Sequence, residues 1–558
     1  MREERDIAVP MRDGTVLRAD VYRPEADAPV PAILSRTPYD RGFGLTPPAA
    51  VDPERAVEAG MAMVCQDVRG QYGSEGEFYP FVSEAADGYD SVEWIAAQEW
   101  SSGAVGLAGR SYTAATQWLA ASERPPHLRA IFPTVVGSSF FDGWVYQGGA
   151  FQLGFNLFWV HLMTAGKKKV ALDQQYRHLP LTAAPLLDGS AAGPFYRDWL
   201  AHWTNDDFWQ VISIARRYTR VEVPAYNVGG WYDLFLKGTL ENYVRLRREG
   251  GSELARAATR LLVGPWAHGS TYGAYPDHGF ELFAPEDRVD LTQVQLDFFA
   301  RHLRGEAAGA PEEPPVRIFV MGENRWRDEE DWPLARAREE RWFLHSDGDA
   351  AGRGGTLSRD APADEPHDGY VFDPHDPAPT IGGPTSIPGK FMRTSAGPMD
   401  QRPVEERADT LVYTSEPFDQ PFEVTGPLVL VLHAATSAGD ADFVGKLCDV
   451  DPDGFSRILA EGVLRARFRE GWERPLPVEP DRPHEYLVDL VATSNVFLPG
   501  HRIRLSVTGS SFPRFDRNAG TGSPPGEVTD DELVVARQAV FHDGGRASHL
   551  VLPVIEPG

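Results

Sequence analysis

The stretch from Val105 to Leu119, VGLAGRSYTAATQWL, constrains the fold of this chain more than any other. A short apolar run leads into the segment GRSY, and apolar residues at helical spacing follow it. This pattern predicts a strand, a sharp turn and a helix, with Ser111 at the turn. Such a turn strains the serine backbone and needs small neighbours, a demand that Gly109 meets, whereas the usual second glycine is replaced by Thr113. The alternative is a buried strand followed by a helix that Ser111 merely caps.

The length, charge and composition of the chain exclude several classes of protein and of binding partner. A chain of 558 residues needs two to four domains, and a net charge of −27 argues against nucleic acid and anionic membrane as partners. No apolar segment follows the charged N-terminus and no run of 18 apolar residues occurs, so we expect a cytoplasmic protein without a membrane span. Cys65 and Cys448 lie in apolar runs typical of buried thiols. No metal-ligand spacing is found, so neither a metal nor another cofactor is expected.

The order of strand and helix patterns predicts three structural units. Strands alternate with helices over residues 1–138 and again over 219–340, which indicates one mostly parallel α/β sheet. Residues 139–218 are aromatic and helical, and we interpret them as a cap inserted into that unit. From 341 to 558 the predicted strands are short, and Pro and Gly are frequent around them. This pattern predicts an all-β domain of sandwich or jelly-roll type. Within it, the stretch 360–400 is expected to be a long ordered loop.

Two loops later in the chain complete a catalytic pattern with Ser111. The predicted strand 221–228 leads into Asp233, and the predicted strand 260–263 leads into His268. In open α/β sheets the sites lie at the ends of the strands, and the order Ser, acid, His is that of the hydrolases with this core. His268 would take the proton of Ser111, and Asp233 would orient the imidazole. Each residue could alternatively be a simple loop residue.

An oxyanion hole must accompany such a triad. The backbone N–H of Tyr112, directly after Ser111, is one candidate donor. The loop after an early strand must supply the other, and it contains Tyr39. A phenol O–H is a capable donor, although from the residues alone Tyr39 is as well explained as a packed loop aromatic.

Motifs spread over nearly the whole chain then resemble those of the cocaine esterase-like CocE/NonD hydrolases, which are related to Xaa-Pro dipeptidyl-peptidases and α-amino-acid ester hydrolases. The resemblance is carried by Arg36-Thr37-Pro38-Tyr39-Asp40, Asp67-Val68-Arg69-Gly70, Gly109-Arg110-Ser111-Tyr112, Gly229-Gly230-Trp231-Tyr232-Asp233, Gly264-Pro265-Trp266-Ala267-His268, Asn495-Val496-Phe497-Leu498-Pro499-Gly500-His501-Arg502 and Phe512-Pro513-Arg514-Phe515-Asp516-Arg517-Asn518.

This resemblance implies an α/β-hydrolase core, an inserted helical cap and a C-terminal jelly roll. It implies Ser111, Asp233 and His268 as catalytic triad, and the Tyr39 phenol with the Tyr112 N–H as oxyanion hole. Trp159 and Phe235 match aromatics of the family's acyl pocket, and Trp266 of the histidine motif is a third substrate-binding candidate. The family's second elbow glycine is Ala114 in this chain, and the cap is shorter, so the acyl pocket is expected to differ.

The resemblance favours a serine carboxylesterase that acts on small-molecule esters with hydrophobic or aromatic acyl groups. A peptidase or amidase of the same fold is the first alternative, but the carboxylate cluster that would bind a substrate amine is not evident among the cap aromatics. A catalytically inactive binding protein is the second, and an intact triad argues against it. The oligomeric state is left open, with a homodimer as the candidate.

Overall fold

The computed structural model describes residues 1–42, 51–163, 171–188, 190, 192–305, 314–387 and 396–556. The strands are β1 (Arg2–Pro10), β2 (Val16–Arg23), β3 (Val30–Thr37), β4 (Ala62–Asp67), β5 (Ser101–Arg110), β6 (Leu128–Thr134), β7 (Tyr146–Gln147), β8 (Ala150–Phe151), β9 (Tyr226–Tyr232), β10 (Arg260–Ala267), β11 (Val316–Val320), β12 (Arg325–Glu329), β13 (Arg338–His345), β14 (Gly355–Ser358), β15 (Asp368–Phe372), β16 (Thr410–Ser415), β17 (Phe422–Thr436), β18 (Asp442–Val450), β19 (Ser456–Arg465), β20 (His484–Phe497), β21 (Arg502–Thr508), β22 (Ala536–Asp543), β23 (Arg546–Ala547) and β24 (His549–Ile555). The helices are α1 (Pro53–Glu58), α2 (Glu84–Ala96), α3 (Tyr112–Ser122), α4 (Leu153–Met163), α5 (Leu172–Tyr176), α6 (Gly193–Ala201), α7 (Asp207–Ile212), α8 (Leu236–Glu249), α9 (Glu253–Ala258), α10 (Glu286–Val289), α11 (Leu291–Arg304) and α12 (Arg402–Glu405).

The first ten-stranded sheet has the order β1-β2-β4-β3-β5-β6-β9-β10-β11-β12. The inner strands from β4 to β11 are parallel, and the edges are antiparallel. Apolar side chains alternate between the two faces, so that Leu107 of β5 packs towards α2 and α3 while Ala108 packs towards α1 and α11. The predicted α/β core is confirmed, because helices cover both faces of a mainly parallel sheet.

Short helices form the insertion between β6 and β9. They comprise α4 to α7 with intervening 3₁₀ turns, and they pack through aromatic side chains onto the same core cluster as α3. The insertion also contains the minimal hairpin β7-β8, which the sequence analysis did not predict. Part of the predicted helical stretch 167–215 lies outside the described residues, namely 167–170, 189 and 191.

A second, twelve-stranded sheet forms the β-rich C-terminal domain, as predicted. The sequence pattern predicts strands at 428–432, 442–450, 457–459, 484–488, 502–507 and 534–540 of this domain. Strand β18 has the predicted bounds, β17, β19 and β20 are longer than predicted, β21 and β22 lie within a few residues of the prediction, and β13 to β16, β23 and β24 were missed. The stretch 360–400 is not loop throughout, because β15 lies within it and pairs with β22, and residues 388–395 lie outside the described residues. The jelly-roll assignment and the three predicted boundaries between 1–138, 139–218, 219–340 and 341–558 stay predictions.

Two strand ends next to the predicted site were wrong. The strand predicted at 221–228 is β9, which begins at Tyr226 and runs through both glycines to Tyr232. The strand predicted to end at 263 is β10, which runs on to Ala267. Tyr232 pairs with Ala267, so the two strands end level with each other. Asp233 and His268 still directly follow their strands, which is the feature that the prediction needed.

The β-rich domain holds the insertion in place through buried polar contacts. The backbone N–H of Phe151 donates to Asp516 (2.8 Å), whose carboxylate also accepts from Arg465 (2.9 Å). The amide oxygen of Gln147 accepts from Arg514 (2.9 Å), and all three charged side chains are buried. Buried charges are tolerated only when paired and hydrogen-bonded, so these contacts fix one relative position of the two units.

None of the helices in the described ranges combines the length and the apolar character needed to cross a bilayer.

A close approach of the insertion to the β-rich domain predicts that adding one methyl group there lowers the stability of the protein. Gly148 has φ +55°, and a Cβ there would lie 1.8 Å from the carbonyl oxygen of Val463. Gly454 has a similar left-handed φ of +85° with nothing within 4 Å, so it is a matched control. Both alanine variants incur the left-handed penalty of about 1–2 kcal/mol, but only Gly148→Ala adds a steric cost of about 1–3 kcal/mol.

We therefore expect Gly148→Ala to lower Tm several degrees more than Gly454→Ala, at roughly 2–4 °C per kcal/mol for a domain of this size. Both are compared in thermal scans at one scan rate. Equal shifts would contradict this close packing of the insertion against β19.

Candidate active site

Ser111 occupies the turn between β5 and α3 with a backbone that few residues adopt. Its φ is 59° and its ψ is −122°, in the region of strained turns. Its side chain makes no capping hydrogen bond to α3, so the alternative of a plain N-cap serine is not supported. The turn leaves the hydroxyl at the edge where the parallel strands end.

Small and polar neighbours make this turn sterically feasible. Gly109 has φ +149°, and a Cβ there would lie 2.2 Å from the Thr113 hydroxyl oxygen, so glycine is required. That hydroxyl donates to the Arg110 carbonyl (2.8 Å) and accepts from the Arg110 N–H, bridging the turn. Ala114, at the position of the family's second glycine, lies in α3 without a positive φ. Alanine is therefore compatible with the backbone at this position.

A continuous hydrogen-bond chain joins the three residues that the sequence analysis selected. His268 Nε2 lies 3.0 Å from Ser111 Oγ, and His268 Nδ1 lies 2.9 Å from Asp233 Oδ2. Asp233 is only 1% exposed, so its charge is shielded from water. Its second oxygen, Oδ1, accepts the Phe235 N–H (2.7 Å), which fixes the orientation of the carboxylate. The arrangement can deprotonate a serine hydroxyl and stabilise the resulting imidazolium.

The residue before the serine anchors the histidine loop. The Arg110 guanidinium donates to the carbonyl of Ala267 (3.2 Å) and to that of His268. Burial lowers the pKa of Arg110, and the nearby Asp233 and Glu286 carboxylates oppose that effect. The sequence analysis missed this contact, because nothing in the local pattern distinguishes Arg110 from a solvent-facing turn residue.

Tyr39 and Tyr112 are the two residues of the oxyanion-hole hypothesis, which stays a prediction. β3 and β5 are neighbouring parallel strands, so their carboxyl ends place Tyr39 and Ser111 at the same edge. Among the described residues, the backbone N–H of Tyr112 has no hydrogen-bond acceptor. The Tyr112 side chain points elsewhere: its hydroxyl donates to the buried Glu84 carboxylate (2.9 Å), which pairs with Arg36 (2.8 Å). This buried network supports the first turn of α3 from below.

Aromatic rings surround the imidazole of His268. The Phe235 ring lies 5.1 Å and the Phe155 ring 6.3 Å from it, both edge-on, and the two phenyl rings contact each other. Trp144 stacks on Phe235 at 4.2 Å. Phe235 therefore lies where the sequence analysis expected, whereas Phe155 and Trp144 were not among its site residues. Their positions depend on how the insertion folds back, which an aromatic-rich sequence alone does not show.

The other two substrate-binding candidates, Trp159 and Trp266, lie in different surroundings. Trp159 on α4 is 3% exposed, and its indole N–H donates to the Tyr39 hydroxyl (2.8 Å), so it contacts another predicted site residue. Trp266 packs with the cluster on the α1 and α11 face, beside Trp326, and its indole N–H donates to the Ala284 carbonyl (2.7 Å). No ring contact among the described residues joins Trp266 to Phe235 or Phe155, so we assign it to the core.

Across the described ranges, no group of three or more His, Cys, Asp and Glu side chains is arranged as metal ligands would be. Both cysteines are buried thiols, in agreement with the sequence analysis.

Comparison with known proteins matches both halves of the chain to one family. Residues 13–270 match the model of the X-Pro dipeptidyl-peptidase (S15 family), and residues 308–551 match the model of the X-Pro dipeptidyl-peptidase C-terminal non-catalytic domain. The cocaine esterase of Rhodococcus sp. (strain MB1 Bresler) is 38% identical over 99% of this chain and 98% of its own. The chain belongs to the cocaine esterase-like family of serine hydrolases.

Solved structures agree with this family assignment. An aminopeptidase from the marine sediment archaeon Thaumarchaeota archaeon superposes with a TM-score of 0.86 at 28% identity, covering 100% of this chain and 96% of the other. An α-amino acid ester hydrolase gives a TM-score of 0.86 at 27% identity, covering 99% and 96%. The protein is thus a CocE/NonD-type serine esterase, a hydrolase that acts on ester bonds, with an α/β-hydrolase core and a β-rich C-terminal domain.

The fixed orientation of Asp233 predicts the effect of replacing it by the isosteric amide. Because Oδ1 is held by the Phe235 N–H, Asp233→Asn should present its amide nitrogen to His268 Nδ1. A donor there stabilises the imidazole tautomer that cannot accept the serine proton, and in other triads this costs about 10⁴-fold in kcat. We expect a loss of that order in this family member, with an unchanged Tm.

The measurement is steady-state hydrolysis of p-nitrophenyl butyrate at neutral pH. Asp368→Asn, which also replaces a buried carboxylate hydrogen-bonded to a histidine (His542 Nε2, 2.9 Å) but lies in the β-rich domain, is the comparison variant and should keep kcat. A kcat within tenfold of the parent for Asp233→Asn would show that this carboxylate does not orient the base.

Proposed function

We propose that the protein is a carboxylesterase that hydrolyses esters of hydrophobic, including aromatic, acyl groups through an acyl-enzyme on Ser111. The observation that carries this proposal is the hydrogen-bond chain from Asp233 through His268 to Ser111, with distances of 2.9 and 3.0 Å. Family membership supports the ester bond as the target, and the name of the Rhodococcus relative, cocaine esterase, agrees with it.

The proposed reaction proceeds in two halves. Ser111 Oγ attacks the ester carbonyl carbon while His268 Nε2 takes the hydroxyl proton. The tetrahedral intermediate then collapses: the bond to the alcohol oxygen breaks, and His268 returns its proton to the leaving alkoxide. In the second half a water molecule attacks the acyl-enzyme, His268 takes a proton from it, and the acid leaves as Ser111 Oγ regains a proton. Asp233 stabilises the imidazolium in both halves.

The negative charge that develops on the carbonyl oxygen needs two donors. The Tyr112 N–H is one, because it has no other acceptor among the described residues. The Tyr39 phenol is the second. Burial holds the pKa of Tyr39 above its ordinary value, so the phenol keeps its proton and acts as a neutral donor. Donors held in a water-poor site stabilise the transition state more than the substrate, which raises kcat.

The acyl preference is inferred from the rings around His268. Phe155, Phe235 and Trp144 form an apolar surface beside the base. Such a surface stabilises a bulky apolar acyl group by removing it from water and by aromatic contacts. These three side chains carry no charge, so they offer no carboxylate to pair with the amine of an amine-bearing substrate.

A peptidase activity is the competing proposal, because the matching family model is that of X-Pro dipeptidyl-peptidases and one structural neighbour is an aminopeptidase. The two proposals are separated by comparing p-nitrophenyl esters of acetate, butyrate and benzoate with Xaa-Pro p-nitroanilides. We expect kcat/KM to be larger for the esters by several orders of magnitude. Faster cleavage of the anilides would favour the peptidase.

Replacing the nucleophile tests the acyl-enzyme. Ser111→Ala should fold normally and lose about 10⁴- to 10⁶-fold in kcat, because no other group can carry the acyl chain. In the parent, rapid mixing with p-nitrophenyl benzoate should release a burst of one equivalent of p-nitrophenol per chain whenever deacylation limits turnover. Mass spectrometry of the quenched parent should show the benzoyl adduct on the peptide that contains Ser111.

The alanine variant should show neither the burst nor the adduct, and retained activity within tenfold of the parent would exclude Ser111 as nucleophile.

Removing one oxygen atom tests the phenol in the oxyanion hole. Tyr39→Phe keeps the ring, so packing should change little, while kcat should fall about 10²- to 10³-fold with a nearly constant KM. The measurement is kcat and KM on p-nitrophenyl acetate, with Tm as the folding control. Tyr79→Phe, which removes a phenol that donates to Asp198 (2.7 Å), is the matched control and should keep kcat. A kcat within about threefold of the parent would show that the Tyr39 phenol is not an oxyanion donor, since removing one donor is expected to lower kcat far more than that.

A further inference from the structure

The hydrogen bond between Trp159 and Tyr39 joins two residues to which the sequence assigns separate roles. Trp159 was expected to line the acyl pocket, and Tyr39 to bind the oxyanion. The structure places the indole Nε1 2.8 Å from the phenol oxygen, across the boundary between the inserted helix α4 and the loop after β3. We propose that Trp159 is a positioning residue of the oxyanion hole, which orients the Tyr39 phenol so that its hydrogen points to the substrate carbonyl. This inference rests on the proposed esterase function and on the role of Tyr39 in it.

The chemistry of the two groups fixes the direction of the hydrogen bond. An indole N–H can only donate, so the phenol oxygen must be the acceptor. The phenol hydrogen is therefore not used in this contact. Among the residues that the structure describes, no acceptor for that hydrogen is found either. A partly buried hydroxyl hydrogen without a protein partner is what an oxyanion donor needs before the substrate binds.

Accepting a hydrogen bond also makes the phenol a better donor. Hydrogen bonds in series polarise one another, and the effect is larger where water is excluded. Burial raises the pKa of Tyr39, and the indole N–H acts against that effect by stabilising negative charge on the phenol oxygen. The same stabilisation is useful when the phenol hydrogen is partly transferred towards the anionic carbonyl oxygen.

Two aromatic rings pack against the indole itself. Its ring is stacked near Tyr112, with centroids 6.0 Å apart and planes at 14°, and near Trp199, at 5.8 Å and 23°. Trp159 is 3% exposed, so its N–H direction is set by packing. Tyr112 supplies the other proposed donor through its backbone N–H. One tryptophan therefore contacts both residues of the proposed oxyanion hole.

The two roles of Trp159 predict different kinetics. If Trp159 acts only as an acyl wall, its loss should affect benzoyl esters and spare acetyl esters. If it positions the phenol, losing the N–H should lower kcat for both esters by a similar factor and leave KM nearly unchanged. This loss should be smaller than that of Tyr39→Phe, because the phenol remains but is less well oriented.

The test is a double-mutant cycle with Tyr39→Phe, Trp159→Phe and the double variant, measured on p-nitrophenyl acetate and p-nitrophenyl benzoate. Trp159→Phe removes the N–H and keeps an aromatic ring. We expect it to lower kcat about tenfold on both esters in the parent background, the value of one ordinary hydrogen bond. In the Tyr39→Phe background it should cost less than twofold, because the phenol on which it acts is absent.

Trp209→Phe is the matched control. Another buried tryptophan of the insertion serves better than Trp199, which itself packs on the indole of Trp159. Trp209→Phe also removes an indole N–H, one that donates to the His202 carbonyl (2.6 Å), and among the described residues its ring contacts neither Trp159 nor Tyr39, so kcat should stay within twofold on both esters. Tm and titration of Ser111 with diethyl p-nitrophenyl phosphate check that each variant folds with an intact nucleophile. Should Trp159→Phe fail to fold, Trp159 is replaced by β-(3-benzothienyl)alanine, which substitutes sulfur for the N–H and keeps the bicyclic shape.

The outcomes separate the inference from the function on which it rests. Equal losses from Trp159→Phe in both backgrounds, or a loss confined to the benzoyl ester, would overturn the positioning role and leave the oxyanion role of Tyr39 intact. No effect of Tyr39→Phe would overturn both. Strong coupling in the cycle, with the same factor on both esters, is the result that the inference requires.

Discussion

The left-handed backbone of Ser111 is the constraint on which the site depends. A non-glycine residue in this region costs on the order of 1–3 kcal/mol, so the surrounding structure must impose it. The Ser111 N–H donates to the Thr134 carbonyl (2.9 Å), and its carbonyl accepts from Ala114 and Ala115 at the start of α3 (2.9 and 3.1 Å). These contacts tie the turn to β6 and to the helix at once. The hydroxyl consequently projects beyond the sheet towards the loops that follow β9 and β10.

The insertion excludes water from the loops that follow β9 and β10. α4 covers the edge of the sheet with aromatic side chains, of which Phe155 reaches His268 and Trp159 reaches Tyr39. Electrostatic interactions strengthen where water is absent, so the same cover would favour both the proposed ion pair of an imidazolium with Asp233 and the proposed oxyanion donors. The insertion is in this sense part of the catalytic environment, although none of the three triad residues belongs to it.

The sequence predicted those parts of the site that local patterns encode. Ser111, Asp233 and His268 each follow a strand of apolar residues, and the order of strands in an α/β sheet brings strand ends together. The strand ends themselves were misjudged, because Gly229 and Gly230 suggest a turn. In the fold Gly230 is instead a residue of β9 that the neighbouring strand β10 approaches closely. A Cβ there would lie 2.3 Å from the Trp266 carbonyl oxygen. Only the tertiary contact decides between these readings of a glycine pair.

Contacts between distant segments could not be predicted in this way. Tyr39 and Trp159 are 120 residues apart, and Arg110 reaches carbonyls 157 and 158 positions further along the chain. No periodicity marks these side chains, since each is an ordinary residue of its own segment. Family resemblance predicted Tyr39 and Trp159 as site residues but not the hydrogen bond between them. It also suggested Trp266 as a site residue, which the structure instead packs into the core.

The buried contact between Phe151 and Asp516 has a consequence for how the protein is made. The two residues are 365 positions apart, so the anchor for the insertion leaves the ribosome long after the insertion itself. At about 5–20 residues per second the delay is roughly 20–70 s. During this interval the core sheet can form and the aromatic side chains of the insertion can pack onto it. The buried polar contacts that fix the position of the insertion become available only when the β-rich domain has been synthesised, so the site reaches its final geometry last.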